Sequence, residues 1–230
     1  MASALTAWLN QINAHEEETA ALRGGEAGHG HNSHGHGGGV GGNRAPVRRD
    51  HTNRTDDAVL NALYEAVGPS TTVLDVGGGT GRYAIPLAAC AKHVTVVDPS
   101  VGSIELLESI AAERGITNIT AVSSDWESAE VEPSDIVLCS LVLHHVPDAE
   151  PFIKKLGQKA ANRVMAVEMM EFPGMIESPF YQWVHGSDPT PLPAIPNLMQ
   201  VLWEMDVYPD IEMFPSTPPV LETDKAGALE

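Results

Sequence analysis

Asp75, Asp98 and Asp125 each sit where an apolar run gives way to a polar turn, and glycines 77, 79 and 81 follow the first of them. A carboxylate at a strand end, followed by a turn without side chains, lets a ligand rest on bare backbone at a helix N-terminus. The spacing in Val73-Leu74-Asp75-Val76-Gly77-Gly78-Gly79-Thr80-Gly81-Arg82-Tyr83 selects the ligand. A dinucleotide fingerprint needs G-x-G-x-x-G, and counting from Gly77 its last position holds Arg82. The frame that fits is acid-x-G-x-G-x-G, carried by Asp75, Gly77, Gly79 and Gly81. Such a turn has no long run of amides for a pyrophosphate. It suits a ligand with a cationic amine, a ribose and an adenine.

The elements that must position these residues alternate. Thr55-Asp56-Asp57 starts a helix with Leu60, Leu63, Tyr64 and Val67 on its apolar face, and Gly68-Pro69 ends it. Strand 72–76 leads through the glycine turn into a helix over about 81–91. Strand 93–98 passes through Pro99-Ser100 into a helix with Ile104, Leu107 and Ile110, closed by Gly115. Strand 118–122 precedes Ser-Ser-Asp125-Trp126, strand 135–140 precedes His144-His145, and a helix near 149–160 precedes strand 163–169. Strands and helices alternating at these lengths predict right-handed βαβ units. The fold class is α/β: a Rossmann-like, doubly wound, mostly parallel sheet with helices on both faces. Ligands of such sheets lie beyond the carboxyl ends of the strands.

The flanks are less regular. Residues 3–22 predict an amphipathic helix with Leu5, Trp8, Leu9 and Ile12 on one face. Residues 24–43 are mostly glycine and histidine, too poor in apolar area to offset the entropy of ordering, and predict a disordered linker. The domain reading is a helix at 1–23, a linker at 24–54 and one domain at 55–230, its cofactor half 55–170 and its acceptor-side cover 171–230. Residues 172–196 hold six prolines and predict an irregular cover. A helix follows near 197–205, and 207–214 is a candidate strand.

Bulk composition narrows the function classes. The net charge is −18 over 230 residues. A surface that acidic repels phosphate backbones and anionic lipid, so nucleic acid and membrane are disfavoured as partners. No apolar run reaches the roughly 18–20 residues of a transmembrane helix, and the N-terminus lacks the basic region of a secretory signal. Cys90 and Cys139 fall in predicted core elements and make no disulfide framework. A cytoplasmic location is expected.

On the glycine frame and the strand-end acids, residues 55–170 resemble the class I S-adenosylmethionine-dependent methyltransferases. The cofactor implied is S-adenosyl-L-methionine. By that resemblance Asp75 helps hold the methionine amine, and Gly77, Gly79 and Gly81 pass close to the amino-acid end of the ligand. Asp98, 17 residues past Gly81, takes the ribose hydroxyls, while Pro99 and Ser100 flank the adenine. Asp125 meets the adenine amine with Trp126 beside the base, and Ser140 begins the segment under the methionine moiety. Each has an ordinary alternative: Asp98 as a helix N-terminal acid, Asp125 as a cap, Trp126 as a core residue.

Leu-Val-Leu-His144-His145-Val-Pro-Asp resembles a stretch found in small-molecule members of that superfamily. Histidine titrates near neutrality, so either residue could take a proton from an acceptor hydroxyl or amine; the alternative is structural packing. Tyr181, Trp183 and His185, with the 197–205 helix, resemble an uncharacterised small-molecule subgroup and could wall an acceptor pocket, or simply pack. His29, His31, His34 and His36 can chelate metal while disordered, but they read first as a spacer. No metal site is expected. Class I methyltransferases usually end with two further strands, and here Pro215, Pro218 and Pro219 follow the one candidate. The C-terminal strand is expected to be missing.

The function expected is methyl transfer to O, N or S of a small molecule by in-line displacement. The alternatives are a non-catalytic or truncated cofactor-binding protein and, third, an NAD-dependent oxidoreductase.

Overall fold

A computed structural model describes residues 2–22, 57–171 and 178–215. The Gly/His tract, with its linker reading and its metal question, lies outside the described residues.

Five parallel strands form the sheet in the order β3-β2-β1-β4-β5. They are β1 (Thr72–Val76), β2 (His93–Asp98), β3 (Ile119–Ser123), β4 (Ser134–Ser140) and β5 (Ala160–Val167). The order reverses between β1 and β4, and ligands of such sheets bind beyond the strand ends at that reversal. Register brings the functional ends level: Asp75 lies opposite Val96 on β2 and Leu138 on β4.

Side chains alternate across the sheet and so build two cores. Val73, Val94, Val96, Ile136 and Leu138 face α2 (Ala58–Ala66), α3 (Ala84–Leu87) and α4 (Val101–Glu113). Leu74, Val76, Val97, Val137 and Cys139 face the other way, toward α1 (Ala4–Leu22), α5 (Ala149–Lys159) and α7 (Ile195–Glu204). Both faces are covered, as the doubly wound reading requires. Caps fix the helix starts: Asp57 accepts from Leu60 N at 3.0 Å, and Ser100 accepts from Ser103 N at 3.3 Å. Cys90 and Cys139 are free thiols.

Several elements depart from the sequence reading. The helix expected over 81–91 is α-helical only at Ala84–Leu87. Ala89 N and Cys90 N bond back three residues, to Pro86 O and Leu87 O, so the element tightens into turns before β2. The cover expected to be irregular contains a helix, α6 (Ser178–His185). The candidate strand 207–214 does not form. Val207 N closes onto Leu202 O, Asp206 takes a left-handed φ of 58°, and Pro209 and Pro215 cannot donate to a ladder. Among the described residues no strand lies outside β5.

Candidate functional site

β1 delivers Asp75 to the head of the glycine turn on the α2/α3/α4 face, the side on which Val73 packs. The turn then needs glycine for two distinct reasons. Gly77 and Gly81 have φ of 73° and 89°, in the left-handed region. A Cβ would also collide with Val142 Cγ2 at 2.4 Å from Gly77 and with Leu107 Cδ1 at 2.5 Å from Gly81. Gly78 has no such φ, but a Cβ there would lie 2.7 Å from Asp75 Oδ2. The turn therefore lies directly on the carboxyl group. Gly77 N donates to Val97 O at 2.7 Å, tying the turn to β2.

Asp75 is 1% exposed, and its Oδ2 has no hydrogen-bond partner. Burial, with the nearby charge of Asp98 in second place, pushes its pKa up to about 7. Asp98 ends β2 fully buried. Its Oδ2 accepts from Gly79 N and its Oδ1 from Ser100 N, both at 2.9 Å. Desolvation raises the Asp98 pKa against those two amides. Asp98 is thus the anchor of the glycine turn and of the Pro99-Ser100 turn together. Each carboxylate oxygen keeps a second lone pair for a ligand hydroxyl.

The other candidates divide. Ser140 ends β4, half-buried, with Leu141 beyond it at φ 56°. Asp125 is exposed, and its carbonyl accepts from Ala129 N at 2.9 Å. Trp126 points inward: its ring packs 6.2 Å from that of Phe152, and Lys155 Nζ sits 4.7 Å from its centroid. Its Nε1 donates to Phe152 O at 3.3 Å. The ring is enclosed in the second core rather than turned toward a ligand.

His144 and His145 lie in a 3₁₀ turn, Leu143–His145, at the end of β4. His144 is buried and His145 exposed, with ring centroids 4.2 Å apart. His144 Nδ1 meets Glu168 Oε2 at 2.8 Å, and Glu168 Oε1 accepts from Leu143 N at 3.0 Å. The sequence reading missed Glu168 because it ran the last strand through 169. β5 ends at Val167, so Glu168 is an acid just past an apolar strand, the signal that marked Asp75 and Asp98. Burial, then Glu168 and Asp75, hold the Cys139 thiol well above the usual range, so it is protonated.

Tyr181 and Trp183 have separate surroundings. The Tyr181 hydroxyl donates to Glu18 Oε1 on α1, which raises its pKa. Trp183 is 82% exposed, and His185 ends α6. The cover is instead assembled by α1. Glu18 Oε2 accepts from Thr190 N at 2.7 Å, and His15 Nδ1 lies 2.7 Å from Thr190 O. Gln11 bonds Pro191 O at 3.0 Å and Asn197 Nδ2 at 3.2 Å.

Comparison with known proteins agrees with this geometry. Residues 73–162 match the methyltransferase domain family. A ubiquinone biosynthesis O-methyltransferase of Rickettsia conorii is 33% identical over 128 residues, which are 54% of this chain and 44% of that protein. The chain spans less than half the length of the curated relatives it matches. Two solved structures share the fold. One is the YcgJ protein of Bacillus subtilis, with a TM-score of 0.52 at 19% identity over 66% of this chain and 70% of that one. The other is the magnesium protoporphyrin IX methyltransferase of Synechocystis with bound S-adenosylhomocysteine, at 0.51 and 23% over 64% and 68%. With the acid-glycine turn and the reversal of strand order in hand, residues 73–162 read as a methyltransferase domain of the family they match.

Proposed function

We propose that the chain binds S-adenosyl-L-methionine against the glycine turn and transfers its methyl group to O, N or S of a small molecule. One observation carries the reading: a buried carboxyl group, Asp75, with an unpartnered oxygen directly beneath a glycine turn. An ionised buried carboxylate is costly without a counter-charge, and a ligand ammonium supplies one. A dinucleotide would bring phosphates toward two buried acids of like charge, Asp75 and Asp98. That sets the nicotinamide reading aside.

When bound, the cofactor supplies an electrophilic methyl group on a sulfonium centre. The chain's residues hold and align. Asp75 takes the amine, Asp98 the ribose hydroxyls, Pro99 and Ser100 flank the adenine, and Asp125 meets its amino group. Ser140 and the turn after it border the reacting end, where His144 takes the acceptor's proton. Alignment in a dry cleft supplies up to roughly 7–11 kcal/mol of barrier reduction.

The acceptor is a small molecule entering on the side of α6 and α7, with Tyr181, Trp183 and His185 as its candidate contacts. The net charge of −18 disfavours nucleic acid. No helix among the described residues is long and apolar enough to cross a membrane.

Calorimetric titration separates the readings. S-adenosylhomocysteine should bind with a micromolar dissociation constant, on the order of −7 to −9 kcal/mol. Tight NAD binding with no response to S-adenosylhomocysteine would overturn the proposal.

A further inference from the structure

The chain after β3 makes one turn, and a single side chain takes three of its carbonyls. Ala129 N donates to Asp125 O at 2.9 Å, which closes the turn. A helical end leaves its last carbonyls without partners inside the turn. Lys155 on α5 reaches them: its Nζ donates to Trp126 O at 2.5 Å, to Ala129 O at 2.8 Å and to Glu127 O at 3.0 Å. An ammonium has three donors and no acceptor, so these bonds engage the whole group in its charged form. Nζ also lies 4.7 Å from the centroid of the Trp126 ring, which adds a cation–π attraction.

The start of the turn is tied to the sheet. Ser124 N donates to Asp98 O at 3.2 Å, at the end of β2. Asp125 thus stands between two fixed points, the buried acid of β2 and the ammonium on α5. Trp126 is 3% exposed and packs in the second core. Of the pair Asp125-Trp126, the aspartate is the exposed member, left to meet a ligand.

We propose that Lys155 is a positioning residue for adenine recognition. By gathering the carbonyls of Trp126, Glu127 and Ala129 it sets where the Asp125 carboxylate meets the amino group of the base. The proposal rests on the cofactor reading above. Hydrogen bonds weaken steeply away from good geometry. An acid on a loose turn would therefore separate an amino-purine from an oxo-purine poorly, and an acid on a fixed turn separates them well. Lys159, one helical turn further along α5, donates to Val131 O at 2.5 Å, beyond the closed turn. It holds the following segment and takes no part in the device.

Titration calorimetry of the full chain with S-adenosylhomocysteine and S-inosylhomocysteine tests this, since the two differ by an amino or an oxo group at the base. The wild type should prefer the amino form by about 10- to 150-fold, because a donor to a carboxylate is exchanged for an acceptor. Lys155→Met keeps an apolar stem and removes all three donors. Its preference should fall to about threefold or less, with affinity for the inosyl form unchanged within about twofold. Lys155→Arg keeps the charge but replaces converging donors with a planar fork, and its preference should lie at least about threefold below wild type. Asp125→Asn should abolish the preference, and adding K155M to it should change the remainder less than about twofold, because Lys155 acts through Asp125. Lys159→Met should keep the wild-type preference. In the free protein, the Ala129 amide should exchange about tenfold faster in K155M than in wild type.

A wild-type preference under about threefold, or one kept in K155M or K155R or lost in K159M, would overturn the proposal. So would an equal loss of both ligands in K155M, additive effects in the double variant, or unchanged exchange at Ala129. The exchange arm needs no cofactor. Failure of the methyltransferase reading is distinct: it would appear as no binding of S-adenosylhomocysteine by the wild type, and the proposal would fall with it.

Discussion

The indole N–H of Trp8 donates to the carbonyl of Val146 at 2.8 Å, across 138 positions of sequence. Trp8 and Ile12 are buried in the second core, while the polar positions Gln11, His15 and Glu18 hold the 190–197 segment. The first helix is thus fastened at once to the histidine turn and to the cover.

Trp8→Ala should destabilise the protein by about 3–5 kcal/mol, the usual range for deleting a buried tryptophan side chain. Trp8→Phe keeps much of the apolar area but leaves Val146 O without its donor, costing about 1–3 kcal/mol. Denaturant unfolding reads both. Affinity for S-adenosylhomocysteine, which rests on the ends of β1 and β2, should change less than twofold in Trp8→Phe. A large loss would show that α1 shapes the cofactor site as well.

Asp98→Ala removes a ribose acceptor and the anchor of Gly79 and Ser100 together. The loss of charge-assisted bonds should weaken S-adenosylhomocysteine by about 1.5–3 kcal/mol, or roughly 10- to 150-fold. An unchanged dissociation constant in titration calorimetry would leave Asp98 as a turn anchor alone.

Asp75 gives the protein a pH dependence of definite sign. Its folded pKa, about 7, stands above the ordinary aspartate value of 3.8. The neutral acid is favoured in the folded state, so its contribution to stability is full below about pH 4 and is lost as pH rises through 7. Asp75→Asn should therefore raise the melting temperature more at pH 8 than at pH 5. Wild-type affinity for S-adenosylhomocysteine should tighten several-fold between pH 6 and 7.5, as the carboxylate that meets the amine ionises, and the variant should lack that slope. Parallel pH profiles for the two proteins would contradict the assignment.

Residues 207–215 form no strand and hold Tyr208, Ile211 and Met213 exposed. Their amides should exchange orders of magnitude faster than those of β1 and β2, which lie between neighbours in the sheet. Protection of 208–214 comparable to β1 in a monomer, followed by mass spectrometry, would show that this segment pairs.

The first two strands and the turn between them are legible in the sequence. β1 and β2 fall at 72–76 and 93–98 as read, because alternating valines bounded by an acid and a glycine turn are local signals that need no tertiary knowledge. Asp75, the glycine turn and Asp98 come together because parallel register brings the strand ends level. Trp126 was legible as an aromatic but not by direction, since which way a ring turns after a strand end depends on what α5 offers it. Glu168 pairs with His144 only once β5 lies beside β4, a contact 24 residues apart in sequence. The role of α1 could not be read at all. Its apolar face shows that it must pack somewhere, but burial is non-directional. The particular surface was chosen by a hydrogen-bond donor on Trp8 meeting an acceptor on Val146, whose positions only the folded chain specifies.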